Sequence, residues 1–165
     1  MWLFMYLCYG LSALTLTGLT VALVQGLTGR PVIGASHASF SFLITLIYLF
    51  TETLVMFFFV GTGSNVKEYV RERKLSESLI SRIGGARHRV TMEASLSILL
   101  VLGTAVLGGA VAGSNVPRQI HLGAAVVAYL HFLWMLRNQH RAYRLATEVV
   151  TDMVAESGET VDTPS

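Results

Sequence analysis

The stretch SHASFSFLITLIYLFTETLVMFFFV, residues 36–60, decides the fold. It exceeds the ~20 mainly apolar residues with which a helix crosses a hydrocarbon layer of ~30 Å, and its only acidic, lysine or arginine side chain is Glu52. Toward the N-terminus the pattern continues. From Met1 to Val66 the only other such side chain is Arg30, so this part of the chain belongs mostly in hydrocarbon. Three further runs have the required length, at residues 2–25, 90–113 and 119–136. The links GLTGRP (residues 26–31) and SNVPR (residues 114–118) combine glycine or asparagine with proline, as turns at an interface do. The expected fold is all-α, an integral membrane protein of four transmembrane helices within residues 1–155.

Composition agrees. The chain is 53% hydrophobic and 13% charged, against roughly a quarter charged in soluble domains, so a soluble fold would have too much apolar surface to hide. A net charge of +2 gives no ground for nucleic-acid binding. The single cysteine, Cys8, permits neither a disulfide nor a cysteine metal site within one chain and reads as a small buried hydrophobe. The first run has no basic segment before it and exceeds a signal peptide's apolar region of ~7–15 residues, so it is read as a retained span.

Basic residues set the orientation. The loop 61–89 carries Lys67, Arg71, Arg73, Lys74, Arg82, Arg87 and Arg89, whereas the two short links carry only Arg30 and Arg118. Basic residues accumulate on the cytoplasmic side, so the loop is placed there. Arg137, Arg141 and Arg144 place the C-terminal side there too. The topology is then N-in, C-in, in a membrane expected to be a bacterial inner membrane. Two readings of loop 61–89 follow. One is a short helix lying on the inner membrane surface, opened by a capping box of Asn65 and Glu68. The other is a solvated connector whose basic residues fix the topology. Residues 142–154 extend the fourth span as a helix, and residues 156–165 are too polar to fold alone, so a disordered tail is expected there. Trp2, Trp134, Tyr69 and Tyr143 read as interfacial anchors, His88 and His140 as solvated neighbours of lipid head groups, and Phe57 to Phe59 as packing.

Ionisable side chains inside spans mark candidate sites, because they are costly there. His37 and His121 stand near the starts of the second and fourth spans, on the same side and at similar depth. Two imidazoles from different helices are what a haem b iron needs on its two faces, and they could equally orient a quinone. Gly34 and Gly123 are nearby positions where a macrocycle could approach the backbone. Gly103, Gly108, Gly109 and Gly113 on the third span offer a tight seam with another subunit or around a flat cofactor, or ordinary helix packing.

A second cluster lies in the inner half. At ~1.5 Å per residue, Glu52 stands ~13 Å above Gly61, His131 ~9 Å above Arg137 and Glu93 ~6 Å above Arg89. Together they are candidates for a proton relay or a metal site, although no span carries a Glu-x-x-His pair. The bland readings are a neutral Glu52 hydrogen-bonded to His131 or a threonine, and a Glu93 that reaches interfacial water or a loop arginine.

No phosphate loop or nucleophile arrangement occurs, and the parts outside the spans are too small for a catalytic domain. The expected function is therefore a non-catalytic anchor or accessory subunit of a larger respiratory or photosynthetic membrane complex, carrying electrons through haem b or quinone, with lipids and other membrane subunits as partners. The alternatives are a small transporter or proton-conducting component using Glu52 and His131, and a purely structural subunit.

Overall fold

The computed structural model describes residues 2–32, 34–113 and 116–158. They form four helices, α1 (Trp2–Thr28), α2 (His37–Arg73), α3 (Glu77–Ala112) and α4 (Arg118–Ser157). All four are long and apolar enough to cross a membrane. They run up and down as a bundle in which α3 packs on α2 and α4, and α1 packs on α2 and closes the ring against α4. The short diagonal, α2 to α4, also makes contact.

α2 has 37 residues, or roughly 55 Å at ~1.5 Å per residue, nearly twice a hydrocarbon layer. It therefore continues through most of what the sequence presents as loop 61–89, and α3 begins at Glu77 on the other side. This corrects the reading of that loop as a separate surface helix, while its seven basic residues are all exposed. Its residues belong to α2 and α3 and not to a separate helix lying flat, and Asn65 and Glu68 are interior to α2 rather than a cap. The physical reason is an unbroken apolar stripe: Val55, Phe59, Thr62, Val66 and Val70 are buried at spacings of three or four, in phase across the predicted boundary.

What stops α2 is Lys74, which takes the left-handed conformation with φ 55°. The amide of Leu75 then donates back to the Val70 carbonyl at 3.0 Å, closing the last turn as a Schellman motif does. Ser76 accepts from the amide of Ser78 and opens α3. The Ser76 amide in turn donates to Glu156 near the end of α4. We call this the hairpin end and the other, bearing the two short links, the open end. α4 reaches Ser157, so the helix includes Glu156 and Ser157 of the predicted tail; residues 159–165 lie outside the described residues.

Packing is uneven along the bundle. At the hairpin end Val66, Val70, Leu79, Ile83, Ala146 and Val149 fill a three-helix extension of α2, α3 and α4. Arg82 pairs across its surface with Asp152 at 2.6 Å. Phe58, Phe59 and Tyr143 form an aromatic knot below it, with ring centroids 5.1–5.2 Å apart. Tyr143 is thus a buried core residue, not an interfacial anchor. Trp2 and Trp134, by contrast, are half exposed. A second core of Tyr48, Val101, Ala128, Phe132 and Met135 fills the middle. Beyond it the packing opens into a cavity.

Candidate functional site

The cavity measures about 730 Å³ and lies at the open end, where all four helices line it. That is within the range of sites that enclose a small molecule. Small residues, among them Ala22, Ala38, Ala105, Gly109, Ala125 and Ala128, leave room in it between larger lining side chains such as Leu19, Phe42, Leu122 and Tyr129. His37 and His121 stand in it from diagonal helices, α2 and α4. Their ring centroids are 6.2 Å apart with planes at 69°. The equal depth expected from the sequence is therefore accompanied by direct proximity.

Each imidazole is held in a similar way. His121 Nδ1 lies 3.1 Å from the Thr104 carbonyl oxygen, which fixes Nδ1 as the donor. A helical carbonyl is reached by a side chain only where the overlying residue leaves room, and the residue one turn on is Gly108. A Cβ there would come within 3.2 Å of His121 Cε1. His37 Nδ1 lies 3.3 Å from Ser41 Oγ, one turn along its own helix, and its ring rests on Gly26 of α1, where a Cβ would be 3.3 Å from Cε1. With both Nδ1 atoms engaged, both Nε2 atoms are without a hydrogen-bond partner among the described residues. An Nδ1–H held by a carbonyl or hydroxyl is the usual outer partner of an imidazole that binds metal through Nε2.

The ring separation permits a test of fit. With metal–imidazole bonds of roughly 2 Å, and about 1 Å from each nitrogen to its own ring centre, two imidazoles on opposite faces of one metal have centroids roughly 6 Å apart. The observed 6.2 Å agrees. The glycines that make this approach differ from those expected near the histidines: a Cβ added at Gly34 or Gly123 would meet nothing within 4 Å, whereas Gly26 and Gly108 carry the rings. Gly103 and Gly109 likewise face open space, so of these three glycines of α3 it is Gly108 that has a specific task.

The inner residues are distributed differently. Glu52 is fully buried, and Gln139 Nε2 donates to its Oε2 at 2.7 Å. Glu93 Oε1 accepts from Asn138 Nδ2 at 3.2 Å. His131 leans on Trp134, with centroids 5.5 Å apart, and neither ring nitrogen has a partner among the described residues. The depth estimate from the sequence is what misleads here. It ignores that α4 presents Asn138 and Gln139, two turns past His131, to the carboxyls of α2 and α3. Among the described residues no three His, Cys, Asp or Glu side chains are grouped so as to hold a metal ion. Cys8 is buried beside Tyr143, and His140 accepts or donates at 2.9 Å to the Tyr9 hydroxyl, so this histidine has a partner within the bundle.

Sequence reasoning missed Thr104, Ser41, Asn138 and Gln139. Ser41 had a signal, since a histidine and a serine at i and i+4 share a helix face, but partners across helices have none at that level. No family model matches the chain, and no curated protein or solved structure is significantly similar to it.

Proposed function

We infer that this chain is a membrane subunit that carries electrons through a haem b held between His37 and His121. It lies N-in, C-in in a bacterial inner membrane as part of a larger respiratory or photosynthetic complex. The observation that carries the reading is the pair of imidazoles from diagonal helices, 6.2 Å apart beside a cavity of about 730 Å³, each with Nδ1 engaged. His37 and His121 would hold the haem, and a group so held would supply the exchange of single electrons and not the activation of oxygen. The residues of this chain supply position: Thr104 and Ser41 aim the rings, Gly26 and Gly108 let them approach, and the four helices keep water from the macrocycle.

The same cavity suits a quinone hydrogen-bonded to both imidazoles, which is the second reading. A proton-conducting role for Glu52 with His131 has less support, because the two side chains take different partners, Gln139 and Trp134. The orientation rests on the seven basic residues between positions 61 and 89.

A reduced-minus-oxidised absorption spectrum of the purified chain tests the reading. A low-spin b-type spectrum is expected, lost in both His37→Ala and His121→Ala. A colourless preparation from haem-replete cells would overturn it. In a Cys8→Ser background, Ser76→Cys should resist an impermeant thiol reagent applied to intact cells while Thr28→Cys reacts; the reverse result would invert the topology.

A further inference from the structure

The charge around the cavity is one-sided. All ten acidic residues of the chain stand at position 52 or later, and none lines the cavity. The one lining side chain with a full charge, among the described residues, is Arg118. It sits at the first position of α4, three residues before His121, and its guanidinium donates to the Gly26 carbonyl, the same glycine on which His37 rests. That bond uses part of a group with five N–H donors, and no other partner of Arg118 occurs among the described residues. Gln25, also lining the cavity, is 1% exposed. Its Nε2 reaches the Ala35 carbonyl at 3.4 Å, while its Oε1 is buried without a partner among the described residues. An unsatisfied buried amide oxygen is a costly feature for a site whose ligand is wholly apolar, and the Arg118 guanidinium, on an exposed side chain, keeps N–H groups that a ligand can take in exchange for water.

We propose that Arg118 and Gln25 form a carboxylate-binding mouth, so that the cavity takes a porphyrin with its propionates directed to the open end and not a quinone, which has no carboxylates. This rests on the reading of the cavity as a haem site. Arg118 binds the planar carboxylate through its free N–H groups, as guanidinium does well. Gln25 meets the second carboxyl by donating the second N–H of Nε2, the first being given to the Ala35 carbonyl, while its Oε1 accepts from that carboxyl only in the protonated form. Tethering Arg118 to the Gly26 carbonyl fixes the cation beside the macrocycle's edge, where its charge favours the reduced, more negative state of the cofactor.

The test uses the full chain purified in detergent from haem-depleted cells and titrated with haem b and with haem b dimethyl ester, whose carboxylates are capped. Wild type should bind haem b about tenfold more tightly than the diester, as expected for one charge-assisted contact. Arg118→Gln should bind the two about equally and give haem b a lower midpoint potential, and Arg118→Lys should keep part of the preference. Equal binding of both ligands by wild type would overturn the proposal. So would an Arg118→Gln protein that keeps both the preference and the potential. Should Arg118→Gln fail to accumulate, the comparison of the two ligands on wild type and Arg118→Lys still decides. A low-spin spectrum without discrimination between ligands overturns the mouth alone. No low-spin spectrum with either ligand overturns the histidine pair, and the mouth with it.

Discussion

The two ends of the bundle both place polar side chains inside apolar helices, yet they treat them in opposite ways. At the hairpin end and in the middle, Glu52 and Glu93 each receive an amide from α4 on one oxygen, the other being buried without a partner among the described residues, and large side chains such as Phe59, Phe132 and Met135 fill the cores there. At the open end many of the residues around the polar groups are alanine or glycine, a cavity remains, and two imidazole nitrogens have no hydrogen-bond partner among the described residues. A buried ionisable group therefore does not identify a site by its cost alone. What separates the two ends is whether the neighbouring residues fill the space around the group, or orient the group and leave the space.

The sharpest way to break this contrast is to fill the open end. Gly108→Val would put a branched side chain where even a Cβ comes within 3.2 Å of the His121 ring, and would deny the ring access to the Thr104 carbonyl. Helix propensity does not oppose the change, since valine is a better helix former than glycine. The expected outcome is complete loss of the b-type spectrum with helicity by circular dichroism and detergent-solubilised yield unchanged. Retention of the spectrum would show that the ring does not need this seat.

Emptying the closed end is the converse experiment. Phe59 is fully buried and packs on both Phe58 and Tyr143. Phe59→Ala should cost about 3 kcal/mol in a denaturant titration, at the low end for a buried phenylalanine because transfer from water counts for less beside lipid. Phe59 belongs to an apolar cluster without histidine, so no second haem spectrum should arise. A smaller effect is expected at Glu52. Replacing it with Leu leaves the Gln139 amide buried without an acceptor, at about 1–2 kcal/mol. Glu52→Leu combined with Gln139→Leu should recover most of that loss, and Glu52→Gln should cost little because an amide can still accept from Gln139. Stability and electron-transfer rate, measured together, separate a packing role from a proton role. A Glu52→Leu, Gln139→Leu protein that is stable but slow would return Glu52 to the functional residues.

The four long apolar helices were legible in the sequence because length and apolarity alone mark them, and His37 and His121 could be placed at one level because each stands just after a short link. The extension of α2 and α3 past the apolar segments was not legible. Charges at Lys67, Glu68, Arg71 and Glu72 suggested a loop, whereas the buried stripe Thr62, Val66, Val70 carries the helix through them. Nor could Glu52 be paired with Gln139, since that contact depends on the rotation of α4, and counting residues gives height but not azimuth. The role of Gly108 was hidden for the same reason: Gly103, Gly108 and Gly109 look alike until a ring from another helix rests on one of them.

The smallest expected effect carries the opposite sign and tests whether the two ends are independent. Lys74 ends α2 in the left-handed region, φ 55°, where a side chain crowds the backbone and costs about 1–2 kcal/mol relative to a residue without a Cβ. The turn needs this conformation because the Leu75 amide must reach the Val70 carbonyl. Glycine adopts it without strain but loses more freedom on folding, by roughly 0.5–1 kcal/mol, so the two terms largely offset. Lys74→Gly should therefore stabilise the hairpin by no more than about 1 kcal/mol, seen as a modest rise in the denaturant midpoint. The turn is separated from the cavity by the filled cores around Phe59 and Phe132. The haem b spectrum and midpoint potential should accordingly stay at their wild-type values. A shift in potential on this substitution would mean that the hairpin end and the open end move together, and that the filled middle of the bundle transmits strain instead of isolating the site.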